Sequence, residues 1–307
     1  MNIIRAKTIG FCTGVRRAVE LAYNEAEHSR GQRPVYTLGP LIHNPQVLDD
    51  LKRWGVEILD EHHLPENLHG AVVIIRAHGI SPQTETELRR RGAQVVDATC
   101  PRVKSSQLKA ATFAEAGYRL FLAGEKHHAE IIGIKGYADA AAPGKTADTA
   151  AFCAVVSNAA EAEKAAAQLH DEDSTLCDNA ATALIGQTTI SAEEYQSIGS
   201  AITESFPGLE IAQTICTATQ ERQDSLREML QKVDAIIIAG GKESANTRRL
   251  LAIAEAAGKP CALVETAVDI PADFLKFNTI GLASGASTPD VIIDDIERSL
   301  GNVSAVA

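Results

Sequence analysis

The chain has 307 residues, 45% of them hydrophobic and only 4% aromatic, with a formal net charge of −11. That length allows two or three domains or one large α/β body. The acidic balance argues against general binding to nucleic acid or to an anionic membrane, and no apolar run reaches the ~18 residues of a membrane span.

Near the start, "AKTIGFCTGVRRAVELA" reads as a short strand, a corner at Gly10, and an amphipathic helix from about Val15, with Cys12 at the corner. The strand "YTLGPLIHN" then ends in a Gly-containing polar loop with His43, and "AVVIIRAHGIS" ends in a second with His78. The middle of the chain repeats this order. "QVVDATC" leads to Cys100 and the helix "VKSSQLKAATFAEAG", then come the strand and loop "RLFLAGEKHHAE" and the strand and loop "TALIGQTTIS". The last part repeats it again. "EIAQTIC" leads to Cys216 and a helix through "RQDSLREMLQKV", then come "DAIIIAGGKESAN", "CALVET", "TIGLASGASTPD" and the closing helix "DVIIDDIERSL". Strands alternating with helices predict an α/β fold with mostly parallel sheets.

The repeat has a register. Cys100 precedes His128 by 28 positions, Cys216 precedes Ser244 by 28, and Cys12 precedes His43 by 31. We read three supersecondary repeats, 1–96, 97–212 and 213–299, with a tail at 300–307. The Ala/Gly/Pro-rich stretch "ADAAAPGKTADTAAF" reads as a loop inserted in the second.

Ligands of open α/β sheets bind beyond the carboxyl ends of strands, so three such units would direct three cysteines and a ring of polar loops at one centre. A lone cysteine is most often a small buried hydrophobe. Cys153 and Cys261, inside apolar runs, fit that description, and Cys177 in "STLCDNAA" has no counterpart in the other repeats. Cys12, Cys100 and Cys216 hold one equivalent position each and are read as shared metal ligands. Zinc with three protein ligands is one option, and a 4Fe–4S cluster with one iron open is the other. With no secretory leader in view, the cytosol is the expected compartment, where structural disulfides are rare.

The loops supply oxyanion donors: His43, His78, Ser244, Asn246 and Ser287. "GGKESANT" places Gly, Ser and Asn ahead of a helix, whose open N–H groups favour phosphate. Neither GxxxxGK[ST] nor GxGxxG is present, so a nucleotide is not indicated. In "EKHHAEIIG", His128 and Glu130 fall on the polar loop of the middle repeat. Glu130 is the candidate general acid, and Thr188 of "GQTTIS" the group that orients it or binds the same substrate hydroxyl.

Taken in order, "GFCTGVRRA", "LGPLIHNPQV", "RAHGIS", "VDATCPRV", "HHAEIIGI", "GQTTIS", "TICTATQERQ", "GGKESANTRRL" and "GASTPD" resemble the motif set of the 4-hydroxy-3-methylbut-2-enyl diphosphate reductase family, from about residue 3 to 297. The resemblance implies a trefoil of three α/β domains around a 4Fe–4S cluster held by Cys12, Cys100 and Cys216. It implies a substrate hydroxyl bound at the open iron and a diphosphate held by His43, His78, Ser244, Asn246 and Ser287, with His128 close by. It makes Glu130 the proton donor, helped by Thr188 and His128. Two electrons, arriving singly from a ferredoxin or flavodoxin, and two protons would remove the hydroxyl as water and yield isopentenyl and dimethylallyl diphosphates. A non-catalytic cluster-containing sensor or diphosphate-binding protein is the alternative within the fold, and a zinc hydrolase the alternative for the thiols.

Two positions depart from the family pattern. The usual His-Pro-Glu reads His128-Ala129-Glu130, and the usual Ser-Ser-Asn reads Ser244-Ala245-Asn246. The lost hydroxyl would cost about 1.5–3 kcal/mol if nothing replaced it. Around Cys12, Gly10 and Gly14 are expected to let the backbone pass close to a bulky cluster.

Overall fold

A computed structural model of the chain describes residues 1–142, 153–173 and 181–302. Cys177, most of the Ala/Gly/Pro-rich stretch and the end of the tail lie outside the described residues. The described part of that stretch is not a loop: its first residues continue a helix to Ala141. Among the described residues no helix is long and apolar enough to cross a membrane.

The chain divides into two compact units. The first comprises Met1–Glu27, Pro40–Glu57 and the chain from Thr217 on. Its sheet has the order β1 (Asn2–Arg5), β12 (Thr279–Ser284), β10 (Ala235–Ala239), β11 (Cys261–Val264), with all three pairings parallel. The first strand of the chain therefore lies beside its last, with Ile3 opposite Ile280. Parallel strands buried on both faces read as unbroken apolar runs, and "AIIIA" of β10 is one. Ile236 and Ile238 join the core on one face with Leu226, Leu230 and Leu250, from α8 (Thr217–Leu230) and α9 (Ala245–Ala256). Ile237 and Ala239 join the core on the other with Ile293 and Ile296 of α10 (Asp290–Asn302). The helices α1 (Thr13–Ser29) and α2 (Pro45–Arg53) follow the Cys12 and His43 loops.

The second unit comprises His28–Gly39 and Ile58–Cys216 and holds two sheets. One has the order β3 (Val56–Leu59), β2 (Val35–Leu38), β4 (Val72–Ile75), β5 (Gln94–Asp97), with α3 (Pro82–Arg90) between its last two strands in sequence. The other has the order β7 (Cys153–Val156), β6 (Arg119–Ala123), β8 (Thr182–Gly186), β9 (Glu210–Ile211), all pairs parallel. Its two faces again alternate by residue. Phe121 and Leu184 pack with α6 (Ala159–Asp173) and α7 (Ala192–Ser205), while Leu120, Leu122 and Ile185 pack with α4 (Pro101–Glu115) and α5 (Ala129–Ala141). The fold is thus α/β, with three four-stranded sheets. The run "EIAQTIC" pairs as a strand only at Glu210–Ile211; the remainder is the loop to Cys216.

Candidate active site

Every candidate site residue lies past the carboxyl end of a parallel strand and at or near the start of the next helix. Cys12 immediately precedes α1, Cys100 precedes α4 and Cys216 precedes α8. One contact recurs at all three. The cysteine N–H donates to a backbone carbonyl in the loop after a different strand: Cys12 to Ala286 at 3.1 Å, Cys100 to Ala77 at 2.9 Å, Cys216 to Thr188 at 3.0 Å. The carbonyls of Cys12 and Cys100 accept the first helical N–H groups, from Arg16 and Lys104. The Cys12 sulfur also lies 3.5 Å from the Val15 N–H. The two other described cysteines are strand residues: burial pushes the Cys153 thiol up to about 12 and raises that of Cys261. Three soft donors in equivalent half-buried corners suit an iron–sulfur cluster; the two strand thiols do not.

In the first unit, the carbonyl of His43 accepts the Ser287 hydroxyl at 3.3 Å, joining two of the predicted diphosphate loops. A Cβ at position 241 would strike that same carbonyl, so a glycine is needed there. Ser244 caps α9, its oxygen accepting the Thr247 N–H, which leaves its hydroxyl proton to donate. Asn246 follows in the first turn. It is only 4% exposed, yet neither end of its amide has a partner among the described residues. Buried amides are nearly always hydrogen-bonded, so this one stands out among the candidate residues.

In the second unit, His128 caps α5, its Nδ1 accepting the Glu130 N–H at 3.2 Å. A neutral ring then carries its proton on Nε2, as a donor. Ala129 takes the first helical position, where proline is favoured but not required. The His78 ring meets the His128 ring edge-on at 5.2 Å between centroids. Glu130 is 1% exposed, and its carboxylate accepts the Thr188 N–H at 2.7 Å and the Thr188 hydroxyl at 3.0 Å. Burial pushes the Glu130 carboxyl up to about 7, against the two bonds from Thr188, which pull it down. A carboxyl half-protonated near neutrality can both hold and release a proton.

The sequence reading missed a buried guanidinium. Arg222, on α8, is 2% exposed and donates to the carbonyls of Gly10 at 2.9 Å and Ser284 at 2.9 Å. It ties the Cys12 loop to the strand end that leads to Ser287. The sequence signal was a charged residue in register with Thr219, Leu226 and Met229 on the buried face of α8. Gly10 has φ +79°, and a Cβ there would strike the Asp290 carboxylate, so within its unit the glycine answers to helix α10.

The fold and these strand ends describe an α/β enzyme-like scaffold with three paired-loop thiols, a buried carboxyl and a set of oxyanion donors. A family model described as LytB protein matches residues 3–301. A 4-hydroxy-3-methylbut-2-enyl diphosphate reductase of Treponema denticola is 43% identical over 98% of this chain and 99% of its own length. The protein of the same name from Aquifex aeolicus is 37% identical over 99% and 97%. Among solved structures, the E-1-hydroxy-2-methyl-but-2-enyl-4-diphosphate reductase of Plasmodium falciparum matches with a TM-score of 0.82 at 27% identity, over 97% of this chain and 87% of that one. A second, described as (E)-4-hydroxy-3-methyl-but-2-enyl diphosphate reductase, the terminal enzyme of the non-mevalonate pathway, matches at 35% identity with a TM-score of 0.68, over 98% and 100%. The chain belongs to the LytB protein family.

Proposed function

We propose that this chain is a reductase that converts 4-hydroxy-3-methylbut-2-enyl diphosphate to isopentenyl and dimethylallyl diphosphates. The observation that carries the reading is the buried Glu130 carboxyl, gripped by Thr188 and poised near neutrality. Overall, two electrons and two protons enter, the allylic C–O bond breaks, and the oxygen leaves as water.

Cys12, Cys100 and Cys216 would hold a 4Fe–4S cluster. Bound there, such a cluster supplies electrons singly and presents one iron without a protein ligand. The chain's own residues do the rest. His43, His78, His128, Ser244, Asn246 and Ser287 bind the diphosphate through neutral and charge-assisted donors. Ala245 offers only its backbone N–H, so Ser244 and Asn246 carry the side-chain contacts of that loop. Thr188 binds the substrate hydroxyl and orients Glu130, whose buried carboxyl holds the proton away from bulk water.

The electron donor is a one-electron carrier, ferredoxin or flavodoxin. A reducing compartment such as the cytoplasm suits the free thiols. The division into repeats at 1–96, 97–212 and 213–299 is kept as the reading of the chain's internal symmetry, supported by the recurring cysteine-to-carbonyl bond.

The test is anaerobic turnover of the diphosphate substrate with a strong small-molecule reductant, alongside iron and sulfide analysis. Both isoprenoid diphosphates are expected. A brown, cluster-loaded protein that forms neither product would identify a sensor, and a colourless zinc protein would overturn the cofactor as well.

A further inference from the structure

The last strand of the second unit carries an irregularity just before Cys216. β9 pairs with β8 at Glu210 and Ile211, and the segment that follows keeps the same spacing without completing the ladder. Three links each span 28 residues: the Ala212 N–H donates to the Leu184 carbonyl at 2.9 Å, the Gly186 N–H to the Thr214 hydroxyl at 2.9 Å, and the Cys216 N–H to the Thr188 carbonyl at 3.0 Å. Evenly spaced parallel rungs would instead give the Gly186 N–H to the Ala212 carbonyl and the Thr188 N–H to the Thr214 carbonyl. Among the described residues neither of those rungs is made. Before Cys100, by contrast, the rungs are successive, from Ala98 to Ile75 at 3.2 Å and from Cys100 to Ala77 at 2.9 Å.

A side chain sits in the gap. The hydroxyl of Tyr195, early in α7, lies 2.8 Å from the Ala212 carbonyl and 2.9 Å from the Leu184 carbonyl, and it donates its one proton between them. Tyr195 and Thr214 are both buried, so their hydroxyls stand where backbone groups would otherwise meet. A Cβ at Gly186 would lie 2.8 Å from the Tyr195 ring and 3.3 Å from the Thr214 hydroxyl, so a glycine makes room for the wedge. The consequence falls on Thr188. Its N–H, not taken by the ladder, donates to the Glu130 carboxylate at 2.7 Å, while its carbonyl still receives the Cys216 N–H. Every one of these residues belongs to the second unit.

We propose that Tyr195 is a positioning residue for the proton donor: its hydroxyl holds the ladder open, and the open ladder leaves the Thr188 N–H to Glu130. The inference deepens the reductase reading above and rests on it. Without the hydroxyl, the Ala212 carbonyl takes the Gly186 N–H and the Thr214 carbonyl takes the Thr188 N–H. The Glu130 carboxylate then keeps one donor, the Thr188 hydroxyl, where it had two. Thr214 is the other half of the device, because its hydroxyl receives the Gly186 N–H that would otherwise close the gap. Tyr195 bonds to backbone carbonyls and acts through Thr188. The titratable group beside Glu130 is His128, whose Nδ1 accepts the Glu130 N–H and so faces its backbone.

The experiment compares the cluster-loaded wild type with Tyr195→Phe, Thr214→Val and Thr214→Ser. The Glu130 carboxyl is titrated by pH-difference infrared spectroscopy, with Glu130→Gln as the blank, and turnover is followed with a reduced viologen. A carboxylate that loses one of two donors is harder to ionise, so its pKa is expected to rise by about one unit in Tyr195→Phe and in Thr214→Val. The kcat should fall about tenfold in both, with KM for the diphosphate unchanged within about twofold. Thr214→Ser keeps the hydroxyl and should match wild type in each readout. Lower stability alone, with the carboxyl titrating as in wild type, would overturn the proposal and mark Tyr195 as a packing residue. A moved carboxyl with unchanged kcat, or a raised KM with unchanged kcat, would overturn it as well. Absence of turnover in the wild type would instead overturn the reductase reading, and the infrared shift would still decide the placement of Thr188.

Discussion

The carboxylate of Glu130 accepts two bonds from one residue, the N–H and the hydroxyl of Thr188, at 2.7 and 3.0 Å. The pairing fixes both oxygens of the acid and sets its chemistry against its burial. Replacing Glu130 with Gln keeps the shape and one acceptor but removes the transferable proton. Turnover is expected to fall about 10²–10⁴-fold, the usual worth of a positioned acid. Visible absorption of the cluster should be unchanged. Rates within a few-fold of wild type in anaerobic assays would remove Glu130 from the proton path.

The same residue gives stability a pH dependence. Its carboxyl titrates at about 7 in the folded chain against an ordinary value of 4.5. Between those values the native state keeps a proton that the unfolded chain has released, so stability is full below about 4.5 and falls as pH rises through 7. The shift corresponds to about 3 kcal/mol. Glu130→Gln should therefore gain stability over wild type from pH 5 to pH 8. Denaturant midpoints at the two pH values test this, and an equal difference at both would contradict it.

Asn246 should show binding strength at odds with stability. Its buried amide has no partner among the described residues. Asn246→Ala deletes an unsatisfied group, so thermal stability should hold or rise, while KM for the diphosphate rises by about tenfold or more. A falling melting temperature with unchanged KM would mark it as structural.

The cysteines separate by position. Cys12→Ser, Cys100→Ser and Cys216→Ser should each abolish stable iron retention, whereas Cys153→Ser and Cys261→Ser should retain full iron. Strand thiols raised by burial are poor thiolate ligands. Iron-to-protein ratios after anaerobic reconstitution decide the matter.

Arg222 links two loops that carry proposed site residues. Arg222→Ala strands the carbonyls of Gly10 and Ser284 and opens a void, a loss of about 2–5 kcal/mol. Guanidinium-chloride unfolding would measure it, and a change under about 1 kcal/mol would show that water replaces the side chain at little cost.

The sequence revealed the type of each strand better than its partners. Unbroken apolar runs such as "AIIIA" announced buried parallel strands, and the cysteine-to-loop spacing is what suggests three repeats. Neither says which strand lies beside which, so the pairing of Ile3 with Ile280 was not legible. The short pairing of β9 was hidden for a related reason: "EIAQTIC" has strand composition throughout, but only Glu210 and Ile211 find a neighbour in β8. The candidate site residues could be singled out because polar side chains after apolar strands are conspicuous. Arg222 was not, because a buried arginine bonded to carbonyls looks, in a sequence, like any charge on a helix.

The pairing of β1 with β12 has a consequence for biosynthesis. Residues 2–5 are made well before their neighbours at 279–282. At about 5–20 residues per second, the opening strand waits roughly a quarter of a minute to a minute for its partner. The carbonyl that anchors Cys12, that of Ala286, is later still. The second unit, His28–Gly39 and Ile58–Cys216, needs none of this and can close during translation. The corner that presents Cys12 is therefore complete only after residue 286 has been made, which would place loading of the proposed cluster after that point rather than when the Cys12 segment first emerges.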